Sequence, residues 1–113
     1  MDARNARGFE RQEGDVRTLL KVQIPVGPGN AAIASGALPQ LVRATMAAIK
    51  PEASYFFAVD GVRTMLFFFE MEASSDIPAI AEPLFQGLQA SVQFIPAMNA
   101  EELQLGLAKA QAG

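Results

Sequence analysis

Residues 62–72 read VRTMLFFFEME, with no glycine or proline, and Met65 to Phe69 are consecutively apolar. A strand with one face in water alternates apolar and polar positions. This one does not, so it predicts a strand covered on both faces. The neighbouring sequence has to supply the two covers.

Asp60-Gly61 precedes this stretch and follows residues 54–59, SYFFAV. Asp-Gly between two β-type runs is a strong hairpin signal, because both turn positions take positive φ. A two-residue turn pairs Val59 with Val62, Phe57 with Thr64 and Tyr55 with Leu66, all on one face. Met65, Phe67, Phe69 and Met71 then occupy the other face.

Further upstream, residues 19–26 alternate Leu20, Val22, Ile24 and Val26 against Leu19, Lys21, Gln23 and Pro25, a strand packed hard on one side. Gly27-Pro28-Gly29 is expected to end it, with Asn30 as the N-cap of a helix from Ala31. Ser35-Gly36 interrupts that helix and Pro39 suits a second first turn. Leu38, Leu41, Val42, Thr45, Met46 and Ile49 then lie on one helical stripe.

Downstream, Asp76 is expected to cap a helix with Pro78 in its first turn and Pro83 as a kink, its apolar side marked by Ile77, Ile80, Ala81, Leu84, Phe85 and Leu88. Residues 91–96, SVQFIP, read as the fourth strand. Asn99 and Glu102 form a capping-box start for a short C-terminal helix with Leu103, Leu107 and Ala110.

The order is β-α-β-β-α-β plus a terminal helix. Right-handed crossovers make this an α+β, ferredoxin-like sandwich: a four-stranded antiparallel sheet in the order 4-1-3-2, both main helices on one face. The helix-free face then gathers Tyr55, Phe57, Val59, Leu66, Phe68 and Ile95, with Lys21, Gln23, Glu70 and Gln93 as a polar line. Apolar patches of this kind mark interaction surfaces, and a second copy related by two-fold symmetry is the commonest cover. Lys21 and Glu70 are expected to neutralise each other in that interface, since a buried unpaired charge is costly.

The strand order, the doubly apolar third strand, VQIPVGPGN after strand one and the AVDG hairpin together resemble the dimeric α+β barrel proteins. Residues 18–110 look most like small bacterial members of that superfamily with no assigned activity. Relatives include cofactorless monooxygenases, muconolactone isomerases and haem-degrading or chlorite-dismutating enzymes. The resemblance implies a homodimer with a ligand cavity in its barrel. This chain departs from those enzymes in having no histidine and no tryptophan, so it lacks a haem ligand and an imidazole base.

Composition sets further bounds. One domain of residues 17–113, preceded by a leader of residues 1–16, fits a chain of 113 residues. The leader carries mixed charges and Phe9, and is read as mobile except where Phe9 docks. A net charge of −3 with scattered basic residues argues against nucleic acid. No run reaches the ~20 apolar residues of a membrane span, and residues 1–16 have no apolar core of a signal peptide. A cytoplasmic protein without a membrane partner is the expectation. Without cysteine there is neither disulfide nor thiolate nucleophile.

The candidate ligand-binding residues are therefore Lys21, Gln23, Tyr55, Phe68, Glu70 and Gln93, with no metal site and no cofactor. Glu70 and Glu72, two apart on a strand, could in principle chelate a hard cation. A wet strand end for Glu72 and a Lys21 pair for Glu70 is the simpler reading. Gly27-Pro28-Gly29-Asn30 resembles the first ligand-binding loop of amino-acid-sensing ACT modules, yet reads more simply as a strand-to-helix turn. Arg63 reads as a solvated turn charge, and Tyr55 as packing. Two functions remain: a non-catalytic homodimeric module that binds a small organic molecule or is structural, and a cofactorless oxygenase- or isomerase-like enzyme with Lys21 as base. The missing histidine favours the first.

Overall fold

In a computed structural model the described residues, 14–112, form one antiparallel sheet with helices against one face. The strands are β1 (Val16–Ile24), β2 (Ala53–Val59), β3 (Val62–Met71) and β4 (Ser91–Pro96). Their spatial order is β2-β3-β1-β4, which is 4-1-3-2 counted from the other edge. The helices are α1 (Val26–Ser35), α2 (Ala37–Ile49), α3 (Ile77–Leu88) and α4 (Ala100–Ala112). Phe9 and most of the expected leader lie outside the described residues.

The hairpin forms in the register set by its turn. Asp60 and Gly61 take φ of 56° and 77°, and Val59, Phe57 and Tyr55 pair with Val62, Thr64 and Leu66. The two parities of β3 consequently separate. Met65, Phe67 and Phe69 join Leu20, Val22 and Ile24 of β1 in a core with Ala32, Ile49, Leu84 and Leu88 from the helices. Leu38, Leu41, Val42 and Met46 of the expected α2 stripe pack against that core, while Thr45 is buried and returns its hydroxyl to the Leu41 carbonyl at 2.8 Å.

Several element boundaries differ from the sequence reading. β1 begins at Val16 rather than Leu19, because β3 extends far enough to pair Met71 with Val16 and Glu70 with Arg17. The end of the expected leader is thus part of the sheet, and Asp15 is buried. β1 also stops earlier, at Ile24. Pro25 has no N–H for a ladder, and its carbonyl instead accepts from the Gly29 N–H at 2.9 Å as the first turn of α1. Gly27-Pro28-Gly29 is therefore helix rather than turn, and Pro28 fits there because first-turn N–H groups need no partner. Asn30 lies one turn inside α1 and caps nothing.

Gly36, at φ 82°, separates α1 from α2 with a 92° bend. Asp76 makes no capping hydrogen bond. The chain enters α3 through a single 3-10 turn at Ser74–Asp76, which places Asp76 itself in helical geometry. The capping box at α4 does form: Glu102 N–H donates to Asn99 Oδ1 at 2.8 Å, and Asn99 N–H donates to Glu102 Oε1 at 2.9 Å. No single helix among the described residues is long and apolar enough to cross a membrane.

Candidate functional site

The open face of the sheet is a grid that the register defines. One row across β2-β3-β1-β4 is Ala53, Phe68, Leu19 and Ile95. The next is Tyr55, Leu66, Lys21 and Gln93. The third is Phe57, Thr64, Gln23 and Ser91. Alternation within each strand puts all of these on the side away from the core. Five of the six expected site residues, Lys21, Gln23, Tyr55, Phe68 and Gln93, therefore fall within three adjacent rows. Tyr55, Phe57, Val59 and Ile95 are exposed, while Leu66, Phe68, Lys21 and Gln23 are half-buried by their neighbours.

Glu70 does not meet Lys21. The ladder opposes Lys21 to Leu66 and Gln93, and Glu70 to Arg17, four positions farther along β1. Both belong to the same parity, but strand length separates them. Glu70 instead lies 3.8 Å from the guanidinium of Arg17. The same guanidinium donates from Nε to Glu52 at 3.0 Å and from Nη1 to Glu102. Arg17 thus ties the start of β2, the end of β3 and the first turn of α4 together at one end of the open face. Beginning β1 at Leu19 hid this residue; the parity it shares with Lys21 was the available signal.

Glu72 lies past the end of β3, beside Met71, and borders a cleft of about 310 Å³ on the helix side of the sheet. Val16, Thr18, Ile77, Phe94 and Pro96 also line this cleft. Glu70 and Glu72 consequently do not share a face, and among the described residues no acidic cluster is placed to hold a metal ion. None of the six expected site residues reaches the cleft.

Arg63 is not a solvated turn charge. It is half-buried, donates from Nη2 to Asn30 Oδ1 at 3.0 Å, and sets its guanidinium where a side chain at Gly29 would stand, 2.5 Å from an ideal Cβ. Asn30 and Gly29 are thereby explained as the seat of a structural arginine that fastens α1 to the hairpin.

What remains on the open face is a set of unused hydrogen-bonding groups. Among the described residues, Lys21 has no acidic partner, and the side chains of Gln23, Tyr55 and Gln93 make no hydrogen bond. Lysine, amide and phenol together can donate several hydrogen bonds, and the surrounding leucine and phenylalanine side chains can hold an apolar body. The chain matches no protein-family model, no curated protein and no solved structure.

Proposed function

We propose that the protein is a homodimer in which two ferredoxin-like sheets face each other as a dimeric α+β barrel, serving as a non-catalytic small-molecule-binding or structural module. The observation that carries this reading is the open face itself. Tyr55, Phe57, Val59 and Ile95 are 57%, 43%, 37% and 41% exposed on one side of one sheet, and no described element of the chain lies over them. Apolar surface in such a contiguous patch is removed from water at about 25 cal/mol per Å² when a second copy covers it. Isologous pairing covers both patches at once.

Sedimentation equilibrium at micromolar concentration tests the reading. A dimer is expected, and Phe57→Lys combined with Tyr55→Lys should shift the chain to monomer with its far-ultraviolet circular dichroism unchanged. A wild-type monomer at that concentration overturns the proposal.

Lys21 and Gln23 on the open side of β1, with Tyr55 in the row of Lys21 beyond Leu66, favour, as second reading, a cofactorless monooxygenase- or isomerase-like enzyme acting on a small hydrophobic substrate. Glu70 is no longer available to it as an acid beside Lys21. Turnover of such a substrate that is lost in both Lys21→Met and Tyr55→Phe would establish this reading over the first.

A further inference from the structure

We infer that the ligand of this face is a small apolar carboxylic acid, held through its carboxylate by Lys21. The inference rests on the homodimer reading and names the ligand class for it. Lys21 is half-buried on the central strand β1, between Leu66 of β3 and Gln93 of β4. Among the described residues no carboxylate neutralises it. At the far end of the face Glu52, Glu70 and Glu102 are gathered around Arg17, four positions along β1 from Lys21.

Covering the face with a second copy brings a second Lys21 into the same interface and removes water from both. An ammonium group desolvated without a partner is strongly unfavourable, and two related by symmetry also repel. None of the side chains in the three rows around Lys21 supplies the opposing negative charge. The groups beside Lys21 point to how that charge is delivered. Gln23, Gln93 and Tyr55 add uncommitted donors within one row of it, while Leu19, Leu66 and Phe68 offer an apolar floor. A carboxylate accepts several hydrogen bonds at once, and a charged acceptor makes them stronger than a neutral one. A short aliphatic or aromatic tail suits the floor. A cationic or polyanionic ligand does not suit a site with one ammonium group per copy.

The test uses the full chain. Thermal melts are recorded with sodium hexanoate or benzoate, and with hexanol or benzyl alcohol at matched ionic strength, on wild type, Lys21→Met and Lys21→Arg. Sedimentation is run on the same samples. The acids should raise the melting temperature of wild type and the alcohols should not. Lys21→Met should weaken acid binding about 10- to 100-fold, the range of a lost charge-assisted hydrogen bond, and Lys21→Arg should restore part of it. Equal stabilisation by acids and alcohols, or acid binding unchanged in Lys21→Met, overturns the inference. So does a dimer that ignores the acids but is weakened by Lys21→Met, which assigns the countercharge to an acidic side chain of the second copy. A monomeric wild type marks failure of the homodimer reading instead.

Discussion

Arg17 shows how much one side chain can organise. Its guanidinium has 17% side-chain exposure and faces Glu52, Glu70 and Glu102, whose side chains are 49%, 21% and 25% exposed. Exposed ion pairs contribute little, but withdrawing a cation that three carboxylates share weakens the screening between them. Arg17→Met should therefore destabilise the fold by roughly 1–3 kcal/mol in urea unfolding, and Glu70→Gln in that background should recover part of the loss. At the opposite end of the sheet the controlling residue is Gly61. Its φ of 77° suits glycine and is costly for a β-branched side chain, and a Cβ there would meet open space, so only the backbone is at issue. Gly61→Val should cost about 1–2 kcal/mol, read as a lower urea midpoint at unchanged slope.

The elements differ in how strongly they are held. α3 runs beside β4 and places Leu84 and Leu88, both fully buried, in the core, and Gly87 lets α2 approach so closely that an added Cβ would lie 2.8 Å from Leu41 Cδ1. Leu84→Ala should cost about 2–5 kcal/mol through the cavity it leaves. α4 is the contrast. It buries none of its residues, and Leu103, Leu105 and Leu107 are all exposed. Helices of this length are marginal in water when nothing packs on them, so its start depends on the Asn99–Glu102 box. Asn99→Ala should remove about 1 kcal/mol from α4 alone. The expected result is reduced helical circular dichroism with an unchanged urea midpoint for the sheet. A midpoint that falls with it would show that α4 unfolds with the core.

For the molecule as a whole, the asymmetry between the two sides of the sheet matters most. One side is closed by three helices around Phe67, Leu20 and Leu84, all with no exposure; the other presents aromatic and aliphatic side chains around one lysine. Substitutions on the two sides should separate experimentally. Core changes such as Leu84→Ala lower stability at every protein concentration. Phe57→Lys with Tyr55→Lys should instead abolish the concentration dependence of the melting temperature that the proposed dimer would confer, since association stabilises by mass action.

Alternation and turn chemistry made much of this legible beforehand. Asp60-Gly61 determined the hairpin register down to Tyr55 opposite Leu66, and that register determined which half of Met65 to Phe69 enters the core. Asn99 and Glu102 are local partners three residues apart, so their box could be read without tertiary information. The ends of β1 could not, because they depend on how far β3 extends beside it: Arg17 joined the open face only when Glu70 lay opposite. Arg63 likewise gained its role from a helix more than thirty positions away in sequence, which turned Gly29 from a presumed loop residue into its seat. Periodicity assigns a side chain to a face and says nothing about how far along that face its partner stands. That is why Lys21 and Glu70 were placed on the correct side of the sheet and yet belong to different ends of it. Only the paired strands decided that, among the described residues, no acid stands beside Lys21, the observation on which the proposed ligand class turns.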